Sequence, residues 1–210
     1  MTPLATDPHA APPPSAWLLR HAHLIPPGSR ILDLACGSGR HVRWLAGQGQ
    51  RVTAVDRDAQ ALSTLAGLPG VEILVHDLEA QGWPWTERRF DLVLVTNYLW
   101  RPLLPQVAGA VAEAGLLIYE TFGWAQTRFG RPRNPDFLLR PGELIETCQQ
   151  QGLQVLAFED GLEHLDRAGS VAAPEAVGQN TLRHVQRVVA RRCGPGCWGE
   201  PAPLDRMHRF

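Results

Sequence analysis

The sequence predicts an α/β domain built on one largely parallel sheet with helices on both faces. Three observations carry this. From residue 30 onward, short apolar runs alternate with apolar residues at helical spacing. Two of the runs, 92–95 and 116–118, are apolar throughout, as strands buried on both faces are. The first run, Ile31-Leu32-Asp33-Leu34, enters a Cys36-Gly37-Ser38-Gly39 turn, the form a strand takes where it hands over to a helix at a nucleotide site.

Taken in chain order, residues 1–14 are rich in Pro and Ala and are expected to be a disordered tail, because they bury too little apolar area to offset ordering. Ser15 can cap a short helix carrying Trp17, Leu18 and Leu19, which Pro26-Pro27-Gly28 ends. Strands are expected at 30–35, 51–56, 71–75, 90–96 and 115–121. Val42, Leu45 and Ala46 mark one intervening helix face, and Ala61, Leu62 and Leu65 another. Pro141-Gly142-Glu143 opens a helix with Leu144, Ile145 and Cys148 on one side. Strands at 155–158 and 182–190 bring the count to seven. Residues 160–181 read as a long connection, either a surface insertion or a lid. The domain is expected over 15–192, with 193–210 as a C-terminal tail.

At 210 residues one core can be buried without disulfides or metal. A formal charge of −1 argues against a chain whose main task is to hold nucleic acid electrostatically. There is no Lys, so Schiff-base chemistry on a lysine is excluded. Cys36, Cys148, Cys193 and Cys197 form no dense disulfide framework and read as reduced thiols. No apolar run is long enough to span a membrane, and prolines occupy the place of a signal-peptide core, so a cytoplasmic protein is expected. Cys193 and Cys197, with His184 and His208, lack a second clear ligand pair, and no metal is expected. His21 and His23 read as a polar helix edge. Trp83-Pro84-Trp85 reads as cover for a sheet edge. Arg183, Arg187, Arg191 and Arg192 read as a solvated strand face, with phosphate contact as the alternative.

In an open α/β sheet ligands sit beyond the carboxyl ends of the strands. Asp33, Ala35, Gly37, Gly39, Asp56 and Asp77 fall there, with Thr96 to Tyr98 and Glu120 to Phe122 on later strands. Gly37 and Gly39 allow a tight turn and close approach of backbone to ligand. Asp56 stands nineteen positions after Gly37, the spacing of a ribose-binding carboxylate. Asp77, after the third strand, offers an acceptor where an adenine amino group would lie. Two details separate the cofactors. A dinucleotide turn needs a third small residue, and Val42 is bulky. Asp33 suits a cationic amino group and not a pyrophosphate; opposite charges about 4 Å apart attract by roughly 4 kcal/mol at an effective dielectric near 20. Both favour S-adenosylmethionine.

The run Asp33-Leu34-Ala35-Cys36-Gly37-Ser38-Gly39, with Asp56, Asp77 and Phe90-Asp91-Leu92-Val93-Leu94-Val95, resembles the class I S-adenosylmethionine-dependent methyltransferases over about residues 28–190. The resemblance implies a Rossmann-like seven-stranded sheet, mostly parallel with an antiparallel last strand. It implies that Asp33, Gly37 and Gly39 line the methionine end, Asp56 holds the ribose and Asp77 meets the adenine. Ala35, Arg57, Leu78 and Asn97 complete the expected cofactor contacts. Cys36 reads as small packing and not as a nucleophile.

Methyl transfer from a sulfonium is an in-line displacement that depends on positioning more than on acid–base chemistry. Asn97, Tyr98 and Glu120 are the expected acceptor-side catalytic residues, with Tyr98 either orienting the substrate, acting as a base or packing as an ordinary core aromatic. The fourth strand ends Thr96-Asn97-Tyr98-Leu99, without the Pro-Pro-aromatic motif of many nucleobase amino methylases. Residues 121–140 hold Arg128, Arg131, Arg133 and Arg140 among glycines, prolines and phenylalanines. This stretch reads either as a lid whose arginines, with Arg101, receive an anionic acceptor, or as a solvated basic loop. It resembles a segment of bacterial small-molecule methyltransferases loosely related to the tellurite-resistance and thiopurine enzymes. The expected activity is methylation of a small, anionic acceptor. The alternatives are an RNA methyltransferase, a non-catalytic S-adenosylmethionine-binding protein and, third, a nicotinamide-dependent oxidoreductase.

Overall fold

The computed structural model describes residues 12–165 and 181–194. One sheet contains β1 (Arg30–Leu34), β2 (Arg51–Asp56), β3 (Val71–Val75), β4 (Phe90–Thr96), β5 (Val111–Phe122), β6 (Leu153–Leu165) and β7 (Thr181–Arg192) in the spatial order β3-β2-β1-β4-β5-β7-β6. The first five strands pair in parallel, and β7 lies antiparallel between β5 and β6. The helices are α1 (Ala16–His21), α2 (Arg40–Gly47), α3 (Ala59–Ser63), α4 (Leu104–Gly109) and α5 (Glu143–Gln150). No helix among the described residues is long and apolar enough to cross a membrane.

Period-two alternation divides the strands between two cores. Leu92 and Leu94 of β4 pack with Trp17 and Leu18 of α1, Val42 and Leu45 of α2 and Leu62 of α3. Val93 and Val95 face the other way, onto Val107 of α4 and Leu144 and Cys148 of α5. Each fully buried aliphatic side chain contributes roughly 1.5–3 kcal/mol. In β1, Ile31 belongs to the α1–α2 face and Leu32 and Leu34 to the opposite one. The same alternation turns the fully buried Asp33 toward α1 and α2.

Three strands are longer than their apolar patterns. β5 starts at Val111, because Val111 pairs with Phe90 across an irregularity that skips the small and charged residues before Leu116. β7 runs from Thr181 to Arg192. β6 runs to Leu165, so residues 160–165 are ladder, paired from Asp160↔Gln186 to Leu165↔Thr181, and not part of a connection. The rest of that expected connection, most of the N-terminal tail, Cys197 and His208 lie outside the described residues. Trp83 and Trp85 pack against the α4–α5 core, with Trp85 edge-on to Phe90 at 5.5 Å.

Candidate active site

The strand order reverses between β1 and β4, so the loops leaving these strands diverge and open a crevice beyond their carboxyl ends. A cleft of about 270 Å³ opens there, lined by Ala35, Asp56, Arg57, His76, Asp77, Leu78, Glu79 and Tyr98. Gly37 and Gly39 adopt positive φ, and Ala35 does so too, at 53°. A Cβ on Gly39 would stand 2.5 Å from the side chain of the buried Leu65, just past α3, so glycine lets the turn pack this close to it.

Asp56 is held by the turn it faces. Its Oδ2 accepts the Gly37 N–H at 2.7 Å, and its Oδ1 accepts the Asp58 N–H at 2.9 Å. Asp77 Oδ1 accepts the N–H groups of Ala80 and Glu79, which hold its carboxyl below the usual range. Tyr98 lines the same cleft, and burial pushes its phenol up. A phenol so shifted stays protonated near neutral pH, which argues against Tyr98 as a general base. Asn97 is exposed at the end of β4, with φ 55° and its N–H on the Glu120 carbonyl at 2.8 Å. It is not among the residues lining the cleft.

Asp33 stands apart. Its side chain is buried, and neither carboxyl oxygen has a hydrogen-bond partner. Burial pushes its pKa up to about 8, against the pull of Arg40. An orphaned buried acid on β1, the strand that leads into the glycine turn, fits a ligand with a cationic amino group, because only an opposite charge or a donor offsets its desolvation. Asp56 and Asp77 thus offer acceptors in the cleft, while Asp33 is buried behind it and does not line it. The Cys36 thiol is raised by burial first and then by Asp33 and Asp56, so it is no thiolate nucleophile.

Several acceptor-side expectations are corrected. Glu120 does not face an acceptor. It is buried, accepts the Ser15 hydroxyl at 3.1 Å, and pairs with Arg187 at 3.1 Å and Arg183 at 3.6 Å. Arg101 is not open to an anion either. Its guanidinium grips both oxygens of the buried Glu143, at 2.7 and 2.9 Å, and the carbonyls of Asp136 and Leu138. Arg183 and Arg187 are not a solvated strand face, since both turn onto Glu120 and Glu163. Arg192 donates to the carbonyls of Val111, Gln151 and Ala108. Arg128, Arg131 and Arg133 are exposed on the segment after β5. That segment is anchored by buried Leu138 and Leu139, and by Gln126, which donates to the Arg131 carbonyl and accepts from the His184 N–H. No cluster of metal-ligating side chains occurs among the described residues. Ser15 caps α1 as expected, but the sequence reading gave no part in the site to it, Arg40 or His41, although Arg40 and His41 directly follow the glycine turn.

A family model described as a methyltransferase domain matches residues 31–114, which span the crevice from β1 through the start of β5. No curated protein matches the sequence. Among solved structures, TehB from Haemophilus influenzae superposes with a TM-score of 0.63 at 18% identity, over 83% of this chain and 61% of that one. The chain thus spans about three fifths of that protein's length. A TehB-like SAM-dependent methyltransferase from Corynebacterium glutamicum gives 0.57 at 19%, covering 85% and 88%. Coclaurine N-methyltransferase, solved with N-methylheliamine and S-adenosylhomocysteine, gives 0.60 at 15%, covering 83% and 71%. Residues 31–114 thus match a methyltransferase-domain family, and the sheet that carries them has the fold of solved S-adenosylmethionine-dependent methyltransferases.

Proposed function

We propose that this protein transfers a methyl group from S-adenosylmethionine to a small anionic acceptor. When bound, the cofactor supplies an activated methyl group on a sulfonium. The chain's own task is to hold it. Asp33 takes the amino end, Asp56 the ribose hydroxyls, and Asp77 with Leu78 the adenine edge, while Ala35, Gly37 and Gly39 let the backbone approach. Arg57 flanks Asp56 at the mouth. Tyr98, protonated, orients an acceptor by donating a hydrogen bond, with Asn97 beside it. The observation that carries the acceptor class is the exposure of Arg128, Arg131 and Arg133 on the segment that follows β5, the strand next to β4 at the crevice. Guanidinium forks match carboxylate and other oxyanions.

The RNA reading loses support because Arg183, Arg187 and Arg192 are occupied within the protein. The decisive experiment incubates the protein with methyl-labelled S-adenosylmethionine and a panel of small thiols, carboxylates and oxyanions, with bulk tRNA and rRNA in parallel. Label on an anionic small molecule, reduced when Arg128, Arg131 and Arg133 are replaced together, is the expected result. Label on RNA, with a steep fall in binding as salt rises, would transfer the assignment to nucleic acid. Tight cofactor binding with no transfer to any acceptor would favour a binding protein.

A further inference from the structure

Ser15 and His41 have so far no part in the chemistry, yet they join the N-terminal helix to the cofactor acid. Ser15 caps α1 by accepting the N–H groups of Trp17 and Leu18 on its hydroxyl, and it donates that hydroxyl to Glu120. Its backbone N–H donates to Nε2 of His41 at 3.2 Å. His41 is the second residue of α2 and is 1% exposed. Because Nε2 accepts, the ring proton of the neutral imidazole sits on Nδ1. Nδ1 faces Asp33 Oδ2 at 3.9 Å, and neither Asp33 oxygen has a hydrogen-bond partner.

We propose that His41 is a positioning residue for the cofactor-binding carboxyl: docking of α1 through Ser15 fixes the imidazole tautomer, and the Nδ1–H so directed at Asp33 favours its ionised form. The inference rests on the assignment of Asp33 to the amino end of S-adenosylmethionine. At 3.9 Å the contact is charge–dipole and not a hydrogen bond, but it lies in a buried place where such terms are weakly screened. The ring itself carries no charge there, since burial and then Arg40 push it down to about 3. The other groups around the pair are Arg40 on α2, Cys36 in the turn and Asp56 at the end of β2, while Arg40 in turn faces Glu120 and Arg183. None of these supplies a hydrogen bond to Asp33. The segment ahead of the sheet thereby sets cofactor affinity without touching the cofactor.

Calorimetric titration of the full-length protein with S-adenosylhomocysteine across pH 6–9 tests this. Wild-type affinity should rise with pH as Asp33 ionises. His41→Gln keeps an acceptor for the Ser15 N–H but removes the donor toward Asp33. Its rising limb should move up by about one pH unit, lowering affinity at pH 7 about tenfold, because below the midpoint each unit changes the ionised fraction tenfold. His41→Asn keeps a donor near the Nδ1 position and should leave the midpoint near wild type. If His41→Gln does not fold, Ser15→Ala and Ser15→Pro replace it. The first keeps the N–H to His41 and the second removes it at a φ of −53° that proline accepts, so only the second should shift the midpoint. Unmoved midpoints with binding intact would leave His41 a structural residue and overturn the inference alone. A wild-type protein that binds no S-adenosylhomocysteine would overturn the reading of Asp33 first.

Discussion

At the scale of single residues, the proposed cofactor site draws on one acid whose carboxyl is satisfied, Asp56, and one whose carboxyl is not, Asp33, and their predictions differ. Asp56 already accepts two backbone N–H groups and has lone pairs left for a ribose. Asp56→Ala should weaken S-adenosylhomocysteine binding by roughly 2–4 kcal/mol, from lost charge-assisted bonds, and calorimetry with unchanged affinity would refute the ribose contact. Asp33 bears on stability. An unfolded carboxyl titrates near 4 and an unfolded imidazole near 6.5. With its folded pKa raised to about 8, Asp33 favours the fold at low pH, and that contribution is lost as pH climbs toward 8. With its folded pKa lowered to about 3, His41 favours the fold above 6.5 and loses that contribution as pH falls. The two oppose each other between about 4 and 6.5, which leaves Asp33 alone from 6.5 to 8. The ligand-free protein should therefore lose thermal stability over that last interval, and Asp33→Asn should flatten the decline. Equal slopes for the two proteins would remove Asp33 as its source. The acids and glycines were legible because their spacing along the chain is their signal. His41 was not, because its meaning depends on Ser15, which is close only after folding.

At the scale of elements, β7 is held by charge as well as by apolar packing. Arg187 stands directly across from Glu120 on β5 and Glu159 on β6, and Arg183 across from Glu163. Register thus sets these cross-strand pairs, and Arg187 also reaches Glu163 at 2.9 Å. The Glu120 and Glu163 side chains are 2% and 5% exposed. Arg187→Met would leave two buried carboxylates short of a cation and should cost roughly 3–5 kcal/mol, read as a lower urea midpoint. A loss below about 1 kcal/mol would show that the network contributes little. The same network explains the misread end of β6. Glu159, Glu163, Arg183 and Arg187 repeat every four residues within their strands, so one face of a buried ladder is ionic. Read singly, those residues look like solvent-facing polar positions in a connection. Only the partner strand shows that they face each other. Arg101 misled for a related reason, since its place after β4 gives no sign that Glu143 waits forty-two residues on.

At the scale of the whole molecule, the fold was legible because a parallel sheet buried on both faces leaves a plain record: apolar runs, helical spacings between them and glycines where strand becomes helix. The acceptor was not, because fold and cofactor site are shared by proteins that act on different molecules, and acceptor contacts sit on connections. Cofactor binding is also a property of the whole fold. A ligand that binds only the folded chain stabilises it by RT ln(1 + [L]/Kd), about 2.7 kcal/mol at a hundred times Kd. A domain of this size shifts its melting midpoint by roughly 2–4 °C per kcal/mol. Saturating S-adenosylhomocysteine should therefore raise the midpoint by about 5–10 °C. NADH at the same concentration should not, because Val42 stands where a dinucleotide site needs a small residue and Asp33 repels a pyrophosphate. Asp33→Asn separates the two effects of that acid. It should flatten the pH decline of the free protein while shrinking the shift from S-adenosylhomocysteine, because the same unpartnered carboxyl that weakens the empty fold at pH 8 is the group proposed to meet the ligand's ammonium. A variant that keeps the full ligand shift would detach Asp33 from the cofactor, and a larger shift from NADH than from the adenosyl ligand would reverse the assignment of the crevice.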